Sequence, residues 1–336
     1  MVFEYKYIIC GQEAECYNYM FSDANNLKNT VFIPYKIFDT LKDQIIQEWI
    51  GKFFRHARNR LIDKMTCIYL MKKIKPHVLR IANYNDKICF VFLKSSIYTR
   101  AIDAGFSKFI KNEFPNAEIV VFFNDLVEKY SITPIDELKC KTNNVFTYDK
   151  NQSIKYEMSY VNAPYSLLDV KQECKNNNTV YFCGAAKDRF DDILKAYYKL
   201  VSDGFVCNFY VIGVPKDKRI DLPGMNYLDK YLSYEENLEL AAQNKIILEL
   251  VQGNSTGRTI RVGEAIRLGK YLVTNNLFML KDEIYDKRNI EVFDDIEKMN
   301  LDRFLDSECI YTQKQIELIE VNYFLKQIEA VLQERG

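Results

Sequence analysis

The sequence predicts an α/β fold built on parallel, doubly wound sheets, and three observations carry that prediction. Short runs of β-branched and aromatic residues, such as Thr179 to Cys183 and Cys207 to Ile212, alternate with segments of helical periodicity. Strands alternating with helices of this length belong to βαβ units, whose strands run parallel. The length of 336 residues suffices for two such domains of roughly 100–200 residues each.

In the first half, Tyr5 to Cys10 is expected to form a strand and Val31 to Pro34 a second. A long helical stretch is read over Phe38 to Lys73. Val78 to Ala82, Ile88 to Phe92 and Ile119 to Phe123 are apolar runs suited to buried strands. A helix is expected from about Ser96 to Phe114, ended by Pro115, and Asn143 to Tyr148 is a further strand. Asn151 to Ser166, with Pro164, has little periodicity and reads as the linker, giving a first domain of residues 1–165.

Residues 166–312 form the second domain, with the clearer rhythm. After the Thr179 strand, Phe190, Ile193, Leu194, Tyr197, Leu200 and Val201 recur at helical spacing and stop at Asp203-Gly204. Asn226 to Leu232 is a short strand and turn. Ser233 opens a helix with a Ser-x-x-Glu capping box to Glu236. Ile246 to Val251, Tyr271 to Thr274 and Ile290 to Phe293 complete the strands. Residues 313–336 make a final helix, amphipathic through Ile316, Ile319, Phe324, Ile328 and Leu332.

Composition narrows the function. The 46 basic residues balance 46 acidic ones, and zero net charge argues against a general nucleic-acid binder, which needs a basic excess, and leaves room for a local basic patch; no nucleic-acid partner is expected. Nine cysteines stand without a C-x-x-C pair, and His56 and His77 are the two histidines, so metal-ligand spacing is absent. Scattered cysteines in apolar surroundings fit reduced core residues in cytoplasm. The start of the chain lacks signal-peptide features, and no window approaches the length of a membrane span.

The segment KIILELVQGNSTGRTIRVGEAIRLGKYLVTNN, from Lys245 to Asn276, carries most of the chemistry. Gly253 and Gly257 bracket a polar loop between a buried strand and a helix running to about Gly269. A helix N-terminus beside a glycine loop offers unpaired N–H groups and a positive dipole end. Arg258 and Arg261 stand near that helix start, where cations are disfavoured unless an anion is bound. Either would also serve as a surface charge, and Arg261 as an i,i+3 partner of Glu264. Ser255, Thr256 and Thr259 suit capping of the helix as well as phosphate contact, since both use the same donors. Glu264 places a carboxylate able to accept two ribose hydroxyl protons. Glu249 interrupts its apolar strand and is expected to face the rim or an arginine. In parallel sheets ligands sit at the carboxyl ends of strands, so the loops after Cys183, Ile212 and Val251 should share one rim. Backbone groups near Gly213 and Tyr231 are the expected site of base recognition.

The order YFCGAAKDRFDDILKAYYKL, YLSYEENLELAAQNKIILELVQ, STGRTIRVGEAIRLGKYLVTNN resembles glycosyltransferases of the GT-B architecture, especially bacterial capsular and lipopolysaccharide enzymes. The likeness covers about Phe114 to Asn276. It implies two Rossmann-like domains facing a cleft, a UDP- or GDP-sugar donor held by the second domain, no metal cofactor, and a glycan or lipid-linked acceptor held by the first. It also implies that the last helix packs back on the first domain. Many GT-B enzymes carry two glutamates eight positions apart, the second of which binds the ribose. Glu264 matches the second, while the first falls on Thr256, a departure from the pattern. Gly184, Lys187 and Arg189 match the phosphate-facing loop. The catalytic base should come from the first domain, with Glu13, His56 and Asp86 as candidates.

The run KFFRHARNR, from Lys52 to Arg60, suits either a peripheral membrane contact or an ordinary amphipathic helix packed on a sheet. Two other functions fit the same fold class, a sugar-nucleotide epimerase and a non-catalytic binding or surface-maturation protein.

Overall fold

Apolar runs bounded by polar turns bury both faces most readily inside parallel sheets covered by helices. Among the described residues, 4–35, 40, 43, 60–94, 96–129, 134–166, 170, 174, 176–251 and 255–334 of a computed structural model, twelve strands form two six-stranded parallel sheets with flanking helices. The chain divides into two units, residues 1–166 with 321–336, and residues 167–320. His56, Gly253 and residues 52–59 of the basic run lie outside the described residues. Among the described residues no helix is long and apolar enough to cross a membrane.

The first unit contains β1 (Lys6–Cys10), β2 (Thr30–Ile33), β3 (Ile88–Leu93), β4 (Ala117–Phe123), β5 (Asn144–Thr147) and β6 (Ser159–Tyr160), in the order β2-β1-β3-β4-β5-β6. Its helices are α1 (Glu15–Met20), α2 (Arg60–Val78), α3 (Ser96–Asp103), α4 (Phe106–Glu113), α5 (Ile135–Lys141) and α6 (Lys150–Lys155). All six residues of β3, ICFVFL, are buried, as expected for a central strand.

Three expectations are corrected here. Val78 to Ala82 is not a strand, because Leu70, Ile74 and Val78 continue one buried helical face and α2 runs through Pro76 to Val78. The helix expected over Ser96 to Phe114 is two helices, parted by Gly105 at a φ of 96°. The segment read as linker instead contributes α6 and β6, with Ser159 and Tyr160 pairing with Phe146 and Thr147 of β5. A two-residue edge strand is too short to leave a periodic signal.

The second unit contains β7 (Thr179–Ala185), β8 (Val206–Ile212), β9 (Met225–Leu228), β10 (Ile246–Glu249), β11 (Tyr271–Thr274) and β12 (Ile290–Val292), in the order β12-β11-β10-β7-β8-β9. Its helices include α7 (Phe190–Ser202), α8 (Tyr234–Ala242), α9 (Ile260–Leu268) and α10 (Gln313–Glu317). The Ser233–Glu236 capping box closes as read, with the Glu236 carboxylate accepting the Ser233 N–H at 2.8 Å. The single final helix of the sequence reading is α10 followed by a separate α11 (Val321–Gln333). In the first unit, α11 lays the Phe324 ring 5.4 Å from Phe21 and 5.0 Å from Phe122. The Asn162 N–H donates to Gln327 Oε1 at 3.0 Å on the same helix.

Each sheet has a point where successive connections change direction, between β1 and β3 in the first and between β7 and β10 in the second. Crevices outside the carboxyl ends of strands at such points are where ligands bind in this class of fold.

Glu128, in the turn after β4, accepts hydrogen bonds from Lys155 at 2.8 Å and Tyr156 at 3.0 Å, tying that turn to α6. The Lys155 ammonium is the main cause holding its carboxyl down to about 2. A depressed folded pKa contributes stability above the unfolded value, which is lost as pH falls through the folded one. Thermal melts should therefore separate wild type from Glu128→Gln at pH 7, and the gap should close progressively as pH drops from about 4.5 towards 2.

Candidate functional site

Arginine side chains converge on the carboxyl ends of β7 and β10. Arg189 follows a short turn after β7, donates from Nε to the Ala185 carbonyl at 3.1 Å and from Nη1 to the Leu250 carbonyl, and so bridges the two strand ends. Its guanidinium also lies over the Phe182 ring, 5.5 Å from the centroid. A Cβ at Gly184 would stand 2.6 Å from Arg189 Nη2, so this glycine leaves the room that the guanidinium fills.

Arg261 lies in the first turn of α9. The helix begins at Thr259, whose hydroxyl caps the Arg261 N–H at 3.1 Å, and ends at Gly269 in the left-handed conformation. Arg261 Nη2 donates to the Cys183 carbonyl at 2.9 Å, at the end of β7, and Nη1 to Asn237 Oδ1 at 3.1 Å and to Glu264. Burial works against its charge, and the adjoining Glu264 carboxylate more than offsets that and holds its pKa up. Arg189 is pushed the other way, by burial first and then by the positive charge of Arg261. Two guanidinium groups thus stand close enough to repel at the switch point of the sheet.

The carboxylates here are internal supports. Glu264 is fully buried, and its Oε1 accepts from the Tyr234 hydroxyl at 2.8 Å and the Asn237 amide at 3.2 Å, while Oε2 takes Arg261. The carboxylate expected to take a ribose thus accepts from three protein donors in this structure. Glu249, expected to face the rim or an arginine, is buried at the end of β10 and accepts from the Thr259 hydroxyl and from the Thr274 hydroxyl at 2.5 Å. Burial pushes its carboxyl pKa up, against those two hydroxyls and the two arginines. It fixes where α9 starts.

Arg258 also departs from its expected role. Its Nε and Nη2 grip Asp282 at 3.0 and 2.6 Å, and Nη1 donates to the Leu318 carbonyl at 2.9 Å. At 4% exposure the side chain is a strut inside the domain, with its donors spent on protein acceptors. Ser255 and Thr256 are likewise buried and engaged within the protein, and Gly257 offers its carbonyl to the Asn276 amide at 3.1 Å. Lys187, at a φ of 44°, and Gly213, at 79°, line a groove of about 380 Å³ with Ala186, Val214, Pro215 and Lys218 beside the ends of β7 and β8.

In the first unit, Glu13 lies exposed in the turn after β1, at the carboxyl rim. Asp86 is corrected as a candidate base. It precedes β3, at the amino ends of the strands, where its carboxylate accepts the Asn83 N–H at 2.9 Å and closes a turn.

Sequence reasoning missed Tyr234 and Asn237, three residues apart on one face of α8, which hold Glu264. An asparagine on the buried face of a helix was the available signal. Asp282 was missed as well, because a loop aspartate gives no sign of its distant arginine.

No protein-family model matches the chain, and no curated protein matches its sequence. Solved structures do. An alpha-glucosyltransferase in complex with UDP-glucose and DNA containing an abasic site aligns with a TM-score of 0.56 at 13% identity, over 97% of this chain and 99% of that one. A structure of alpha-glucosyltransferase with UDP and a 13-mer DNA containing a HMU base aligns at 0.54 and 12%, with the same coverage. A trehalose-6-phosphate synthase structure aligns at 0.51 and 8%, over 98% of this chain and 99% of that one. At such identities the likeness establishes the fold, the two-domain GT-B fold of glycosyltransferases. It also corrects the exclusion of nucleic acid, because two of these structures hold DNA. Net charge summed over a chain does not report the charge of one face.

Removing one partner of a buried ion pair leaves an uncompensated charge and costs about 3–5 kcal/mol. Asp282→Ala should lower unfolding free energy by about that amount in denaturant titrations.

Proposed function

We propose that this chain is a glycosyltransferase whose second domain binds a UDP- or GDP-sugar through its diphosphate and passes the sugar to an acceptor hydroxyl. The observation that carries the reading is the juxtaposition of Arg189 and Arg261 at the switch point between β7 and β10, beside the start of α9. Two like charges held together in a partly dehydrated setting favour a dianionic ligand, since its arrival relieves their repulsion. The fold shared with glucosyltransferase and synthase structures supports the same class of chemistry.

Within this reading each group has one task. Arg189 and Arg261 neutralise the diphosphate and stabilise the charge that develops on it as the glycosidic bond breaks. Glu264, Tyr234 and Asn237 aim Arg261, and Glu249 with Thr259 sets the helix start that presents its N–H groups. The groove lined by Lys187 and Gly213 takes a neighbouring part of the donor. No metal is required for this charge balance.

The acceptor inferred from the sequence is a glycan or lipid-linked sugar of bacterial surface polysaccharide synthesis. A nucleic-acid acceptor is the second reading, favoured by the DNA in two structures of the same fold.

Charge-assisted hydrogen bonds contribute about 1.5–3 kcal/mol each. Calorimetry should show UDP or GDP binding to wild type, weakened about tenfold or more in Arg261→Met and in Arg189→Met. Radiolabelled UDP- and GDP-sugars, incubated with membrane extract or with duplex DNA, should lose label from one donor. No binding and no turnover with any of them would overturn the reading.

A further inference from the structure

The opposite end of the second sheet holds a cavity that the donor reading does not use. It has a volume of about 630 Å³ and lies where β10 and β11 begin, against the segment that follows β12. Lys245 directly precedes β10 and Lys270 directly precedes β11, so both lysines belong to the amino rim. Arg189 and Arg261 stand at the carboxyl ends of the same sheet. A cavity of that size holds small molecules, and polar residues dominate its lining.

Lys270 is the informative residue. At 5% exposure it lines this cavity, yet among the described residues no hydrogen bond or ion pair reaches its ammonium. Burial pushes its pKa down, and the two groups that act the other way, the Cys174 and Cys309 thiols, line the same cavity. The ammonium therefore stands on the cavity side. A buried cation is costly unless a counter-charge or hydrogen-bond acceptors compensate it. The C-terminal end of α9 favours a nearby cation through its dipole. Two of its last carbonyls are already taken, however, since the Lys270 N–H donates to Ala265 at 2.8 Å and the Gly269 N–H to Ile266 at 3.4 Å. The Lys270 carbonyl accepts the Tyr311 hydroxyl at 2.9 Å, which pins the backbone and leaves the side chain unaccounted for.

The remaining lining complements that charge. Lys245 donates to the Leu305 carbonyl at 3.0 Å, which spends one of its three donors and keeps a second ammonium at the cavity. Tyr271 shares a hydrogen bond of 2.6 Å with Ser307, and its ring stacks 4.1 Å from Phe304, so this wall is fixed. Asn177 is exposed at the cavity and adds an amide. Asp306 and Glu308, also exposed there, form no ion pair with either lysine. Carboxylates at the mouth accept hydroxyl groups and repel a long polyanion.

We propose that this cavity at the amino rim of the second sheet is a second ligand site, in which Lys270 and Lys245 bind a phosphoryl group of a small molecule. Two ammonium groups match one phosphoryl dianion, which supplies the counter-charge that Lys270 lacks. Asn177 and Ser307 offer further donors, and Asp306 and Glu308 take hydroxyls of any attached sugar. The site shares no residue with the donor-binding arginines and stands independently of the donor reading.

Inorganic phosphate is the probe, titrated by calorimetry against the full chain saturated with UDP so that the donor arginines are occupied. Wild type should bind phosphate, Lys270→Met should weaken binding about tenfold or more, and Lys245→Met several-fold. UDP affinity should be unchanged in both variants, which shows that they fold. Without phosphate, Lys270→Met should melt above wild type, because it removes a buried charge that has no partner. Phosphate should raise the melting temperature of wild type and leave that of Lys270→Met where it was. Glucose 6-phosphate competing at lower concentrations than phosphate itself assigns the site to a phosphate monoester, and weaker competition assigns it to free phosphate. A Lys270→Met variant that melts below wild type, no phosphate binding in wild type, or equal phosphate affinity in wild type and both variants would overturn the proposal. Should wild type fail to bind UDP, the donor reading alone falls, and the same comparison made without UDP still tests the cavity.

Discussion

The second domain is organised around keeping two guanidinium groups charged beside each other at the ends of β7 and β10. Burial and mutual repulsion both act against that arrangement, and Arg189 responds with a lowered pKa. Arg261 stays firmly protonated because Glu264 is buried behind it. Glu264 in turn is tolerable in the interior only because Tyr234 and Asn237 satisfy its other oxygen. The chain of dependence runs from a helix-capping serine, Ser233, which starts α8, to the orientation of a single arginine at the rim. Most of the polar residues around the glycine loop serve this support rather than the surface itself.

The two sheets differ in how the polar residues at their carboxyl ends are held. In the second, the arginine donors reach strand-end carbonyls and carboxylates, so the site is rigid before any ligand arrives. In the first, Lys94 is buried at the strand ends, and the Asn124 amide has no partner among the described residues. A rigid, positively charged site suits a group that must be held through a change in charge.

Much of the fold was legible because parallel strands buried on both faces write unbroken apolar runs, as in β3 and β7, and caps write Ser-x-x-Glu. Tyr271 to Thr274 was read to the residue. What failed shares a cause, since short or terminal elements carry too few residues for a period. β6 has two residues, and the apolar letters of Val78 to Ala82 fit a helix end as well as a strand. Within the site, local grammar identified the helix, the loop and Arg261. It could not tell an arginine facing a ligand from one facing Asp282, because that partner lies 24 positions away in sequence. Further partners of Glu249 and Glu264 were hidden for the same reason, as they are supplied by β11 and α8. Lys94 and Asn124 went unnoticed although each directly follows an apolar strand, a position where a polar residue meets the rim.

A crystal structure of the protein with UDP tests the central claim most directly. The account predicts the diphosphate oxygens within hydrogen-bonding distance of both Arg189 and Arg261, with Glu264 still holding Arg261 from behind. A diphosphate bound away from the ends of β7 and β10, out of reach of both guanidinium groups, would contradict it.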